Sequence, residues 1–168
     1  MLTKNLGPRY FHQSGLYKIF GLTPHFYTDP DCHFDTIADD FCSKLVDISV
    51  KYQRSKIGVA LKLPTLENIR NEVRPFFDDL IKNESPFWQN SVEPLVFEAW
   101  VDTHFHLFNP AYFTFGETNF ITHSLRVDGP GFNCIHLPWF DIDPITEDER
   151  EFYLKTASEW THIPAASK

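Results

Sequence analysis

The sequence predicts an α+β fold: an N-terminal extended arm, two or three helices packed on a small antiparallel sheet, and a closing C-terminal helix. Three observations lead there. Helical periodicity dominates residues 36–82, apolar alternation begins at residue 95, and the capping-box run Thr146-Glu147-Asp148-Glu149 opens a last helical stretch. Helices and strands fall in blocks and do not alternate as βαβ units, which argues against a doubly wound sheet.

Residues 1–34 show no period, and Asp29-Pro30-Asp31 is a turn signal. This arm carries too many aromatic and aliphatic side chains to stay in water. Residues 35–162 read as one α+β domain and residues 163–168 as a short tail, in keeping with a chain of 168 residues. Within the domain, Ile37, Phe41, Leu45, Ile48 and Tyr52 mark one face of a helix over 36–53. Asp35 or Thr36 can cap it, and Asp39 and Asp40 suit the positive end of its dipole. A short strand is expected at 56–63. Thr65 then caps a second helix with Leu66, Ile69, Val73, Phe77 and Leu80 on one face, kinked or divided near Arg74 by Pro75. The longest expected strand is 95–108, with Leu95, Phe97, Ala99, Val101, Phe105 and Leu107 toward the core. Its other face carries Glu98, Trp100, Asp102, His104 and His106. Strands at 112–116, 119–127 and 132–137, the last two separated by Gly129-Pro130-Gly131, and a helix over 147–159 complete the domain.

Charge excludes several functions. Fifteen Lys and Arg against 23 Asp and Glu give a net charge of −8. No basic stripe exists to displace phosphate counterions, so nucleic acid and anionic membrane surfaces are poor partners. The longest run free of charged residues, Thr103 to Gly116, contains His, Asn and Pro and is too short to span a bilayer. Every acid lies beyond residue 28, and Lys4, Arg9 and Lys18 precede it. That composition is the one a mitochondrial presequence carries, and it points to an intracellular address. Cys32, Cys42 and Cys134 form no disulfide framework, which fits a reducing compartment.

Chemistry is sparse. There is no Gly-rich phosphate loop, GxSxG elbow or dinucleotide fingerprint. The acidic stretch 141–151 lacks the Gly of a calcium loop and reads as a helix N-terminus. Cys134 and His136 share one strand face, but spacing alone does not orient a nucleophile and its base. Asp102, His104 and His106, with His123 as a fourth ligand, are the candidates for one iron or zinc ion in a metal-dependent enzyme. Against that stands a polar sheet face with no metal. Aromatic residues make up 16% of the chain, and many sit in the arm or beside Pro and Gly. Because aromatics concentrate in interface cores, Tyr10, Phe11, Tyr17, Phe20, Phe26, Trp88, Trp139 and Phe140 are the candidates for contact with other protein subunits. The expectation is a non-catalytic accessory or interaction subunit of a larger protein assembly, with no resident cofactor. A metal enzyme is the alternative, and a binder of a small apolar ligand stands third.

Overall fold

The computed structural model describes residues 14–29, 31–101, 104–113 and 124–142. Its architecture is not the expected set of helices on a small antiparallel sheet. The described residues are built around an eight-stranded mixed sheet with two α-helices. The strands are β1 (His25–Tyr27), β2 (Cys32–His33), β3 (Lys56–Leu61), β4 (Ser91–Glu93), β5 (Val96–Glu98), β6 (His106–Phe108), β7 (Ser124–Val127) and β8 (Asn133–His136). The helices are α1 (Phe41–Tyr52) and α2 (Phe77–Glu84). The closing helix expected at 147–159 lies outside the described residues.

β3 organises the sheet. Its six residues are all buried, and one edge pairs antiparallel with β6. The other edge pairs parallel first with β7 and then with β8. Backbone donors alternate accordingly: Val59 N–H donates to Phe105 O on one side, and Ala60 N–H donates to Phe132 O on the other. β7 and β8 are therefore successive pieces of chain on one edge of β3, separated by the Gly129-Pro130-Gly131 turn. β7 leads on through β5 to β4, and β8 leads to β2. β1 pairs with β6 at the far side. Parallel pairing is what the expected antiparallel meander missed, because it joins segments more than 60 residues apart in sequence.

α1 begins later than its apolar period suggests. Ala38 N–H donates to Gly131 O, and a side chain at Gly131, whose φ is +77°, would collide with Ala38. That contact pins residues 37–40 against the turn, so Ile37 stays outside the helix and exposed. The helix ends at Gln53, which is in the left-handed region. The second expected helix is cut further. Residues 66–68 form a turn, Ile69 bridges to Phe140, and Pro75 opens a 3-10 turn, leaving only 77–84 as α-helix.

The long strand at 95–108 is two strands on different parts of the sheet. Leu95 sits in the β4–β5 turn with φ 64° and is exposed. β5 pairs with β7, and β6 pairs with β3, so the intervening chain must cross two strands. Alternation fixes which face it crosses. Ile57, Val59, Leu107, Leu125 and Val127 belong to the core cluster that α1 covers with Phe41, Leu45 and Ile48. Lys56, Gly58, His106, Ser124 and Arg126 point to the opposite face, and there the crossover lies. Val101 rests on Gly58, where an added Cβ would stand 2.6 Å from one Val101 methyl. Of the other expected strands, 112–116 contributes no strand among its described residues, where a 3-10 turn covers 110–112.

Candidate functional site

The face beneath the crossover is polar yet buried: Lys56, His104, His106, Ser124 and Arg126 are all nearly inaccessible. Its polar groups hold the crossing chain. Ser124 Oγ donates to Ala99 O at 2.8 Å and accepts from Val101 N–H at 3.1 Å. Arg126 Nε donates to Trp100 O at 2.7 Å, while its Nη1 pairs with Glu84 of α2 at 2.7 Å. The same guanidinium lies 4.3 Å from the Phe87 ring.

Two of the expected metal ligands are in this layer. His104 Nε2 donates to Val59 O at 3.2 Å, and His106 Nδ1 donates to His104 O at 2.7 Å. Burial, and then the positive charges of Arg126 and Lys56, hold the His104 imidazole well below its ordinary pKa. A divalent cation here would meet the same two positive charges. Among the described residues no group of three or more His, Cys, Asp or Glu is arranged to hold a metal ion. Asp102 and His123 lie outside the described residues.

The expected contact residues are dispersed. Tyr10 and Phe11 lie outside the described residues, and Tyr17 falls in the 3-10 turn Leu16–Phe20. Phe20 is exposed and stacks on His25 at 4.5 Å. Phe26, also exposed on one side, stacks on Phe105 at 5.5 Å. Trp88 is half-buried on the β5 side of the sheet, its Nε1 donating to Asp128 at 2.9 Å. Trp139 and Phe140 are buried in the core. Other aromatics also pack inward. Phe105 meets Phe34 and Phe41 at 5.3 Å, and Phe41 stacks on Phe132 at 5.4 Å. Leu16, Ile19, Phe20, Leu22 and Phe26 are the exposed large apolar side chains of one continuous stretch of chain leading into and along β1. β1 has one strand partner, β6, among the described residues.

A second cluster forms where β2 meets β8. Their register sets Cys32 opposite His136, so Cys32, His136 and Cys134, two residues back along β8, share one face. Asp31 precedes β2 and is fixed by its own carbonyl, which accepts from Leu137 N–H at 2.9 Å. Its Oδ2 lies 3.4 Å from His136 Nε2. Trp139 stands edge-on to the imidazole at 4.7 Å. His136 Nδ1 is buried and has no hydrogen-bond partner among the described residues. Contact with the Cys134 thiol, opposed by burial and helped by the Phe105 backbone and the charge of His136, lowers the Cys32 pKa. The same contact, together with burial, raises that of Cys134. For His136, burial pulls the pKa down, but the hydrogen bond and charge of Asp31 outweigh it and the net shift is upward. Cys134 and His136 were visible as a pair in sequence. Cys32 and Asp31 join them only through the β2–β8 register, which no local spacing announces.

Comparison with protein families, curated proteins and solved structures finds no match to this chain. Among the described residues no helix is long and apolar enough to cross a membrane.

Proposed function

We propose that this chain is a non-catalytic accessory subunit of a larger protein assembly, docking on another subunit through the apolar stretch that runs from Leu16 into β1. One observation carries the reading. Ile19 and Leu22 are 74% and 75% exposed, and Leu16, Phe20 and Phe26 are further exposed apolar side chains of the same stretch of chain. A run of large apolar side chains left exposed marks a contact surface. The acid-free first 28 residues support an intracellular address for that assembly, and the proposal requires that residues 16–26 stay in the mature chain.

The test is native mass spectrometry of the protein gently purified from its source, repeated with the Ile19→Asp, Leu22→Asp double variant. Both side chains are mostly in water, so the variant should keep its thermal midpoint. The native protein should run inside a larger complex and the variant as a free 19.6 kDa chain. A native protein that runs free at that mass would overturn the proposal, as would a variant that stays in the complex.

A further inference from the structure

We propose that Cys32 and Cys134 are a peroxide-oxidisable pair, with Cys32 the attacking thiol, His136 its base and Cys134 the thiol that resolves it into a disulfide between β2 and β8. Geometry carries this. The two cysteines lie on one face of the β2–β8 pair, Cys32 directly opposite His136 and Cys134 diagonally across, two residues back along β8. Cys32 is partly open to solvent, whereas Cys134 is fully buried, which assigns the attacking and resolving roles. Asp31 faces His136 Nε2 and favours the tautomer with its proton there. That leaves Nδ1, buried and without a partner among the described residues, as the lone-pair nitrogen on the side away from the carboxylate. A nucleophile, a base and a third group orienting the base are the parts that activate a thiol, and here Cys32 has to close onto the unpartnered Nδ1 of the imidazole opposite it.

The reaction balances with a hydroperoxide as oxidant. Cys32 gives its proton to His136 Nδ1, and the thiolate attacks one peroxide oxygen. The O–O bond breaks, and with hydrogen peroxide the departing hydroxide takes the proton from the imidazolium and leaves as water. Cys32 is now a sulfenic acid. The Cys134 sulfur attacks the Cys32 sulfur, the S–O bond breaks, and hydroxide leaves with the Cys134 proton as a second water. Two thiols lose two electrons and the peroxide gains them. The S–S bond is about 2.05 Å long, so the sulfurs must close from a diagonal cross-strand placement to bonding distance. A β2 of two residues, held to β8 by two register pairs, gives that slack. Cys42, exposed on α1 and far from any such cluster in the register, is an internal reference thiol.

The experiment treats the reduced full chain with equimolar hydrogen peroxide and follows intact mass and a non-reducing digest. The expected result is a loss of two hydrogens and a Cys32–Cys134 linked peptide, formed before Cys42 is modified. Cys134→Ser should stop at a Cys32 sulfenic acid that dimedone captures. His136→Gln should move the pH profile of that capture upward and slow it about tenfold at neutral pH for each unit of the move. The wild-type digest decides the proposal even if a variant fails to fold. Oxidation of Cys42 ahead of Cys32, or a folded chain whose Cys32 and Cys134 never link, would overturn it. An unchanged pH profile in His136→Gln would remove His136 as the base.

Discussion

Gly58→Ala tests the crossover that defines the buried polar layer. The new Cβ would stand 2.6 and 2.7 Å from the two Val101 methyls and 3.3 Å from Val101 Cβ. Carbon atoms pack at about 3.5 Å or more, so each methyl must retreat by most of an ångström. Neither side yields easily. Gly58 is paired on both edges, to His106 and to Arg126, and Val101 is fully buried and stiff at χ1. Overpacking of this kind costs about 1–3 kcal/mol. The alanine also restricts the unfolded chain, which offsets about 0.4–1 kcal/mol. A net loss of about 1–2 kcal/mol is expected. Val101→Ala removes two buried methyls at about 0.8 kcal/mol each and leaves a small cavity, for a loss of about 2 kcal/mol. In the double variant the added Cβ fills the space the methyls leave. Its loss should fall short of the sum by at least about 1 kcal/mol. Urea unfolding of the four proteins, compared at a common m-value, measures the cycle. Losses that add to within about 0.5 kcal/mol would mean that Val101 does not lie on Gly58, and the crossover would be wrong.

Two further predictions concern the charges in that layer. Glu84→Ala leaves Arg126, whose side chain is 4% exposed, without its carboxylate and should cost about 3–5 kcal/mol, with Glu84→Gln costing less because it keeps an acceptor. A chemical-denaturation loss below about 1 kcal/mol would make the pair no more than a surface contact. For His104 the folded chain holds the ring neutral below its ordinary pKa, while the unfolded chain takes up a proton near pH 6.5. The unfolded state then binds more protons, so stability falls as pH drops below 6.5, by up to about 1.4 kcal/mol per unit. His136 works in the opposite sense, its raised pKa giving stability at low pH that is lost as pH rises through the folded value. The comparison is therefore wild type against His104→Gln between pH 5 and 6.5. The stability of wild type relative to the variant should fall as pH drops through this range, and identical slopes would refute the assignment.

What could be read in the sequence was what local periodicity controls. β3 was legible because a continuous apolar run bounded by polar residues describes a strand buried on both faces. The centre of α1 was legible from its 3.6-residue period, but its start was not, because a distant glycine turn sets it. The alternation from Leu95 to Leu107 misled for a physical reason: a chain crossing a sheet face also buries every other side chain. Only Ser124 and Arg126, which hold the crossing backbone, and Gly58, which makes room for it, distinguish the two cases, and none of them is a sequence neighbour. β1 and β2, of three and two residues, are shorter than any pattern can reveal. They are strands because β6 and β8 offer them edges. Part of the aromatic excess is resolved the same way, since Phe34, Phe41, Phe105 and Phe132 pack against one another inside.

The two proposed sites depend on different parts of the N-terminal segment, and this makes them separable. The apolar surface is built from residues 16–26, within the acid-free first 28, and includes β1. The thiol cluster needs Asp31 and β2, which lie beyond it. A processing cut near residue 28 would remove the exposed stretch and one edge strand, yet leave Cys32, Cys134 and His136 in register. In such a shortened chain the edge of β6 facing β1 would lose its only strand partner among the described residues and itself become open to a partner. The thiol chemistry should then persist while docking through Ile19 and Leu22 is lost. Mapping the N-terminus of the protein from its source therefore decides which surface a partner meets. A terminus before Leu16 keeps the proposed apolar contact, and one near residue 28 removes it together with the strand that β6 pairs with on that side.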